Sequence, residues 1–307
     1  MDIFLQQIIN GLVLGSIYAL VALGYTMVYG ILGLINFAHG EIVMIGAMIS
    51  LAAIQAMTGF ALPGPVIVLM GLLIAIPACM LLGYGIERIA YRPLRHAPRL
   101  APLITAIGVS IVLQNIAMII WGRQYIAFPP LLPEDTYTIA GASITLLQIF
   151  IFFLATVIMA GLIFLVQKTR LGRTMRATAQ NPEVAGLMGV NVNNVISSTF
   201  IIGSALAAVA GLMVSAYYGL AHYYMGFLLG LKAFSAAVLG GIGNLGGAML
   251  GGLLLGVIES LGAGYIGPLT GGVLGSHYQD VFAFFVLILV LIFRPSGLLG
   301  ERTSERP

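Results

Sequence analysis

Glu41 and Glu259 each stand inside a long apolar run, and His39 lies just before the first of them. The amide pair Gln114-Asn115 interrupts another run, and Asn36 and Asn244 sit at glycine-rich breaks. An ionisable group in hydrocarbon costs a few kcal/mol unless it faces a cavity or meets a partner. Asn36, His39, Glu41, Gln114, Asn115, Asn244 and Glu259 are therefore the candidates for lining a polar path through an apolar protein. Four of them also have a plainer reading. Glu41 can mark a helix N-terminus, where the helix dipole favours a carboxylate, and Gln114, Asn115 and Glu259 can hydrogen-bond one helix to the next.

Covalent chemistry finds no constellation to work with. The acidic residues are scattered singly, and the chain contains no H-E-x-x-H or G-x-S-x-G pattern and no G-x-x-x-x-G-K-[ST] phosphate loop. Cys79 is the single cysteine, which excludes an intrachain disulfide and a cysteine-built metal site. Gly241-Ile242-Gly243-Asn244-Leu245-Gly246 fits the dinucleotide fingerprint by letter but lacks the βαβ setting in which that motif works. Neither an enzymatic role nor a bound cofactor is expected, so energy must be supplied by another protein.

A second cluster lies in 168–192, where the chain turns amphipathic. Arg170, Arg173 and Arg176 recur at three-residue spacing, which brings them near one helix face. Asn181-Pro182-Glu183 reads as an N-cap, a proline at the first helical position and an acidic first turn, opening a second short helix through Leu187 and Met188. A bias of basic residues toward the cytoplasm accounts for the charges. It does not account for the cap or the apolar pair, which suit a surface where a cytoplasmic partner docks. Arg173, Arg176, Asn181, Pro182, Glu183 and Leu187 are the expected docking residues.

The elements that position these groups follow from composition. The 307 residues are 60% hydrophobic and 7% charged, far from the roughly one-quarter charged content of soluble domains. Net charge is only +3, and the basic residues lie in short loops rather than in a stripe tracking phosphates, so nucleic acid is not an expected partner. Apolar stretches at 8–29, 41–57, 65–86, 100–121, 144–166, 195–217, 232–266 and 281–293 predict an all-α, polytopic transmembrane bundle of about eight to ten helices, some broken. The whole chain, 1–307, reads as one membrane domain. No Lys or Arg precedes the first run, so that span is expected to be retained as its own insertion signal.

Orientation follows from the loops. Arg88, Arg92, Arg95 and Arg99 crowd one, and Lys168, Arg170, Arg173 and Arg176 crowd another, which places both in the cytoplasm. The segment 122–141 between them carries Glu134 and Asp135 against one basic residue, Arg123, and suits the periplasm. Arg294, Arg302 and Arg306 put the tail 294–307 inside. Stretch 232–266 is too long for one upright span and must break, with 240–247 as the break. Segment 30–40 is the other interruption, and paired interruptions point toward a transport path. Gly243, Gly247 and Gly251, like Gly252 and Gly256, recur every fourth residue and predict close helix packing.

Three segments carry a family resemblance: Gly33-Leu34-Ile35-Asn36-Phe37-Ala38-His39-Gly40-Glu41, the run from Arg173-Thr174-Met175-Arg176-Ala177 through Asn181-Pro182 to Gly189-Val190-Asn191, and Lys232-Ala233-Phe234 through Gly247-Ala248-Met249. With Arg294-Pro295-Ser296-Gly297-Leu298-Leu299-Gly300, they resemble the permease subunits of bacterial branched-chain amino-acid ABC importers, of the shorter, LivH type. The resemblance covers the whole chain. It implies a multi-pass inner-membrane subunit working by alternating access with a second related permease, two cytoplasmic ABC ATPase subunits that bind the ATP, and a periplasmic amino-acid-binding protein. It also implies that 173–190 belongs to a coupling segment, about 167–194, docking on an ATPase. Two alternatives remain at this stage: a permease of the same family carrying urea or short amides, and a self-sufficient ion-coupled carrier using Glu41 or Glu259.

Overall fold

The computed structural model describes all residues except Met1, His96, Arg99, Pro133, Glu134, Ala140, Gly272, Leu274, Ser276, His277 and residues 301–307. Arg99, Glu134, Arg302 and Arg306, used above to orient the chain, lie outside the described residues. The helices are α1 (Asp2–Leu32), α2 (His39–Met57), α3 (Gly64–Ile86), α4 (Leu100–Trp121), α5 (Leu146–Lys168), α6 (Arg170–Gln180), α7 (Pro182–Leu187), α8 (Val192–Tyr218), α9 (Met225–Gly240), α10 (Leu245–Leu269) and α11 (Gln279–Phe293). Among the described residues seven helices are long and apolar enough to cross a membrane, and α9 and α11 are shorter apolar helices. The architecture is the expected polytopic helical bundle.

Short strands join the helices in the stretches expected to be loops. β1 (Ile126–Ala127) pairs antiparallel with β4 (Leu220–Ala221), and β2 (Thr136–Ile139) pairs with β3 (Ala142–Thr145). Two-residue and four-residue ladders carry too little apolar periodicity to be read from sequence.

The chain divides into two compact units. One comprises Met1–Thr26, Glu134–Val157 and Lys232–Pro307, and the other Met27–Pro133 and Ile158–Leu231. In the first, α1 and α10 pack through small residues. A Cβ on Gly11 would lie 2.6 Å from the Val257 Cα, and one on Gly252 2.5 Å from the Ala19 Cα. In lipid, where neighbouring acyl chains are as apolar as leucine, such close backbone contact is what makes helices associate. The chain reverses between α9 and α10 on Gly241 (φ 106°) and Gly243 (φ 95°), conformations that side chains with a Cβ rarely adopt. This is the break expected in 232–266.

In the second unit α2, α3 and α8 form the core. A Cβ on Gly46 would fall 2.6 Å from the Ala208 Cα, and one on Gly211 2.7 Å from the Ala47 N. α2 and α8 are buried along most of their length, whereas α4 presents Ile104, Ile107, Ile111 and Ile119 outward. A helix apolar all round with one face exposed is a lipid-facing helix.

Candidate functional site

Glu41 stands in the first turn of α2 and is buried. Its Oε1 accepts from Gln114 Nε2 at 2.7 Å and from Ser110 Oγ at 3.1 Å, one turn apart on α4. Ser110 and Gln114 lie about 15 and 21 Å along α4 from its start at 1.5 Å per residue, near the middle of a hydrocarbon core of about 30 Å. Two of the expected path residues, Glu41 and Gln114, are thus brought together. Asn115 turns away: it is exposed, and its Nδ2 donates to the Ile111 carbonyl of its own helix at 2.8 Å. Ser110 was missed, although its spacing from Gln114 on one helix face was the available signal.

Asn36 is buried in the α1–α2 connection. Its Oδ1 accepts from the Ala38 N–H at 3.1 Å and from Tyr91 Oη at 2.9 Å. His39, the first residue of α2, is buried beside it in sequence. Asn244 caps α10 by accepting from the Gly247 N–H at 3.0 Å, and its Nδ2 donates to the Leu299 carbonyl at 3.0 Å. One end of that side chain caps α10, and the other ties the α9–α10 break to the C-terminal segment.

Glu259 lies on α10 in the other unit, within a buried charge cluster. Lys232 Nζ donates to its Oε1 at 2.7 Å, and Tyr18 Oη donates to its Oε2 at 3.0 Å. Lys232 Nζ is also 2.7 Å from Asp280 Oδ1, an ion-pair contact whose angle makes no hydrogen bond. Four helices, α1, α9, α10 and α11, therefore meet on one ammonium group. Sequence reasoning missed Lys232, Tyr18 and Asp280 as a set. A lone lysine between apolar runs signals that a carboxylate must be found nearby, but it does not say which one.

A third buried acid, Glu87, sits where α3 passes into a π turn over Glu87–Tyr91. It accepts from Arg95 and, at 2.6 Å, from Ser197 Oγ, while Arg95 Nη1 donates to Asn193 Oδ1 at 2.5 Å. The basic loop after α3 is thereby fastened to the first turns of α8.

The segment before α8 is ordered as two helices, α6 and α7. Thr169 caps α6 by accepting from the Gly172 N–H at 3.1 Å, and Asn181 caps α7 by accepting from the Val184 N–H at 3.0 Å, with Pro182 first in the helix and Glu183 following. Arg173 and Arg176 are both exposed, and Arg176 donates to the Val166 carbonyl. The end of α7 offers bare apolar surface, with Leu187 87% and Met188 81% exposed beside exposed Val184.

Buried polar clusters on helices that cross a membrane, together with an ordered and partly apolar segment at a basic end, define a polytopic transport protein. The chain belongs to the family described as branched-chain amino acid transport system / permease component, whose model matches residues 7–291. It is 49% identical over 308 residues to the high-affinity branched-chain amino acid transport system permease protein BraD of Pseudomonas aeruginosa, covering 99% of this chain and 98% of that one. It is 45% identical over 309 residues to the corresponding permease protein LivH of Escherichia coli K12, covering 99% and 97%. A probable branched-chain amino acid transport permease protein LivH of Methanocaldococcus jannaschii is 27% identical over 310 residues. No solved structure matches the chain.

Proposed function

We propose that this chain is the transmembrane permease subunit of an ABC importer that carries branched-chain amino acids across the inner membrane. It works with a second permease, two cytoplasmic ATPase subunits and a periplasmic binding protein. The observation that carries this reading is near-complete coverage at 49% identity to a permease whose name states that cargo. The subunit moves cargo and leaves ATP chemistry to its partners. The cargo named for the similar BraD and LivH permeases favours branched-chain amino acids over the urea and short-amide reading, and Glu259, one acid an ion-coupled carrier would use, already holds Lys232.

The path is assigned to the neighbourhood of Asn36, His39, Glu41 and Gln114. Coupling is assigned to the segment of about 167–194, within one membrane domain whose tail after residue 294 faces the cytoplasm. Support for the coupling assignment is the exposed Leu187–Met188 surface on a capped helix. Apolar side chains left bare at a polar end mark an interaction site more readily than a lipid contact. Leu187→Glu tests it by placing a charge at the centre of that surface. The variant is expected to insert normally but to lose ATPase subunits on affinity purification, with uptake of radiolabelled leucine falling in proportion. Full ATPase recovery and full uptake would remove α7 from the mechanism.

A further inference from the structure

Two buried side chains, one in the α1–α2 connection and one in the first turn of α2, each carry an unused hydrogen-bonding atom, and the two atoms have opposite polarity. Glu41 and Asn36 are each 1% exposed. Glu41 Oε1 takes both donors from α4, which leaves Oε2 buried with no donor. Asn36 Oδ1 takes the Ala38 N–H, and since a backbone N–H cannot donate to an amide NH2, this fixes which end of the side chain is oxygen. Nδ2 is then a buried donor with no acceptor. Buried polar atoms are almost always satisfied, and each exception needs an explanation such as a ligand or ion.

The backbone around Glu41 suits the same explanation. Gly40 and Gly226 are the second residues of α2 and α9. A Cβ on Gly226 would lie 2.5 Å from Glu41 Oε2 and 2.6 Å from the Gly40 carbonyl, and one on Gly40 would lie 2.8 Å from the Gly230 Cα. The first turns of two helices therefore touch, and Glu41 Oε2 lies at their meeting. Each helix N-terminus carries partial positive charge, and in transporters such ends face anionic groups of the cargo. A free carboxylate oxygen at that junction adds the complement for a cation. We propose that this junction receives the zwitterionic head group of the cargo, Glu41 Oε2 taking the ammonium and Asn36 Nδ2 with the first turns of α2 and α9 taking the carboxylate. The inference rests on the amino-acid import reading and deepens it.

The test uses the complete importer, purified with its partner subunits and arrested with vanadate, and measures retained tritiated leucine over a range of concentrations. Glu41→Gln and Asn36→Asp keep side-chain shape while removing the anion in one case and adding one in the other. Loss of a charge-assisted hydrogen bond raises the half-saturating leucine concentration about tenfold to a hundredfold, and each variant is expected to do so while assembling in wild-type yield. Variants within about twofold of wild type would overturn the site alone. A wild-type complex that retains no leucine would overturn the import reading and this site with it. Should either variant fail to assemble, dicyclohexylcarbodiimide labelling of the unmutated complex decides. Peptide mass spectrometry is expected to show Glu41 protected several-fold by leucine, and unchanged labelling would overturn the proposal.

Discussion

Replacing Lys232 is the sharpest test of how the first unit is held together. Its ammonium lies 2.7 Å from Glu259 Oε1 and 2.7 Å from Asp280 Oδ1, with Tyr18 Oη at 3.3 Å, and it is 6% exposed. One cation therefore serves two carboxylates. Lys232→Met leaves Glu259 buried with only the Tyr18 hydroxyl, and breaking a buried pair in this way costs about 3–5 kcal/mol because the remaining charge is uncompensated. Glu259→Gln acts differently. It leaves Lys232 paired one-to-one with Asp280, keeps hydrogen bonds to Tyr18 and Lys232 through an uncharged amide, and is expected to cost about 1–2 kcal/mol, the loss of the carboxylate's charge. Lys232→Met/Glu259→Gln should be more stable than Lys232→Met alone, since the second change removes the stranded charge. Unfolding in mixed detergent micelles, followed by circular dichroism, measures all three. If Lys232→Met destabilises no more than Glu259→Gln, or if the second substitution makes the first worse, the cluster is not governed by charge balance and the reasoning fails.

Three further outcomes are expected. Arg95→Met leaves Glu87 with Ser197 as its partner and should destabilise by about 3–5 kcal/mol, against a smaller loss for Glu87→Gln, both read from the same unfolding assay. Gly256→Val drives a branched side chain into the Gly15 backbone of α1 and should abolish recovery of monodisperse protein from membranes, whereas Gly108→Ala, at a position with open space around it, should be neutral by size-exclusion chromatography. Cys79, buried against the Ile42 carbonyl, should resist a polar maleimide in the folded protein and react fully once denatured in SDS, as gel-shift labelling would report.

What was legible in the sequence was what local rules dictate. Runs such as 100–121 and 195–217 reappear as α4 and α8 because a helix is the form in which a single segment satisfies its own backbone in lipid. The Asn181-Pro182-Glu183 cap is read directly because its hydrogen bond spans three residues. The break after α9 was visible because Gly241 and Gly243 both stand there. What stayed hidden was long-range. Tyr18 and Glu259 are 241 residues apart, and Glu87 and Ser197 are 110 apart. Asn244 was marked as a polar group at a break, and nothing nearby signals that its amide reaches the Leu299 carbonyl. Partner choice among isolated polar residues is decided by tertiary packing, which the period of an apolar helix does not encode.

Glu41 and Glu259 look alike in the sequence, each a single acid in an apolar run, and the hydrogen bonds separate them. Glu259 has donors on both oxygens and a lysine beside it, so its charge is answered by the fold and a change there should be felt in stability. Glu41 has two donors on one oxygen and none on the other. Its hydrogen bonds orient the carboxylate, but no cation pairs with it among the described residues, and a change there should be felt in what the protein carries. A membrane protein can use one residue type for both purposes because burial is costly in either case. Whether the compensating group is part of the chain or arrives from outside decides which purpose is served. Comparing Glu41→Gln with Glu259→Gln in the same unfolding and leucine-retention assays therefore separates the two roles: the first should change retention more than stability, and the second stability more than retention.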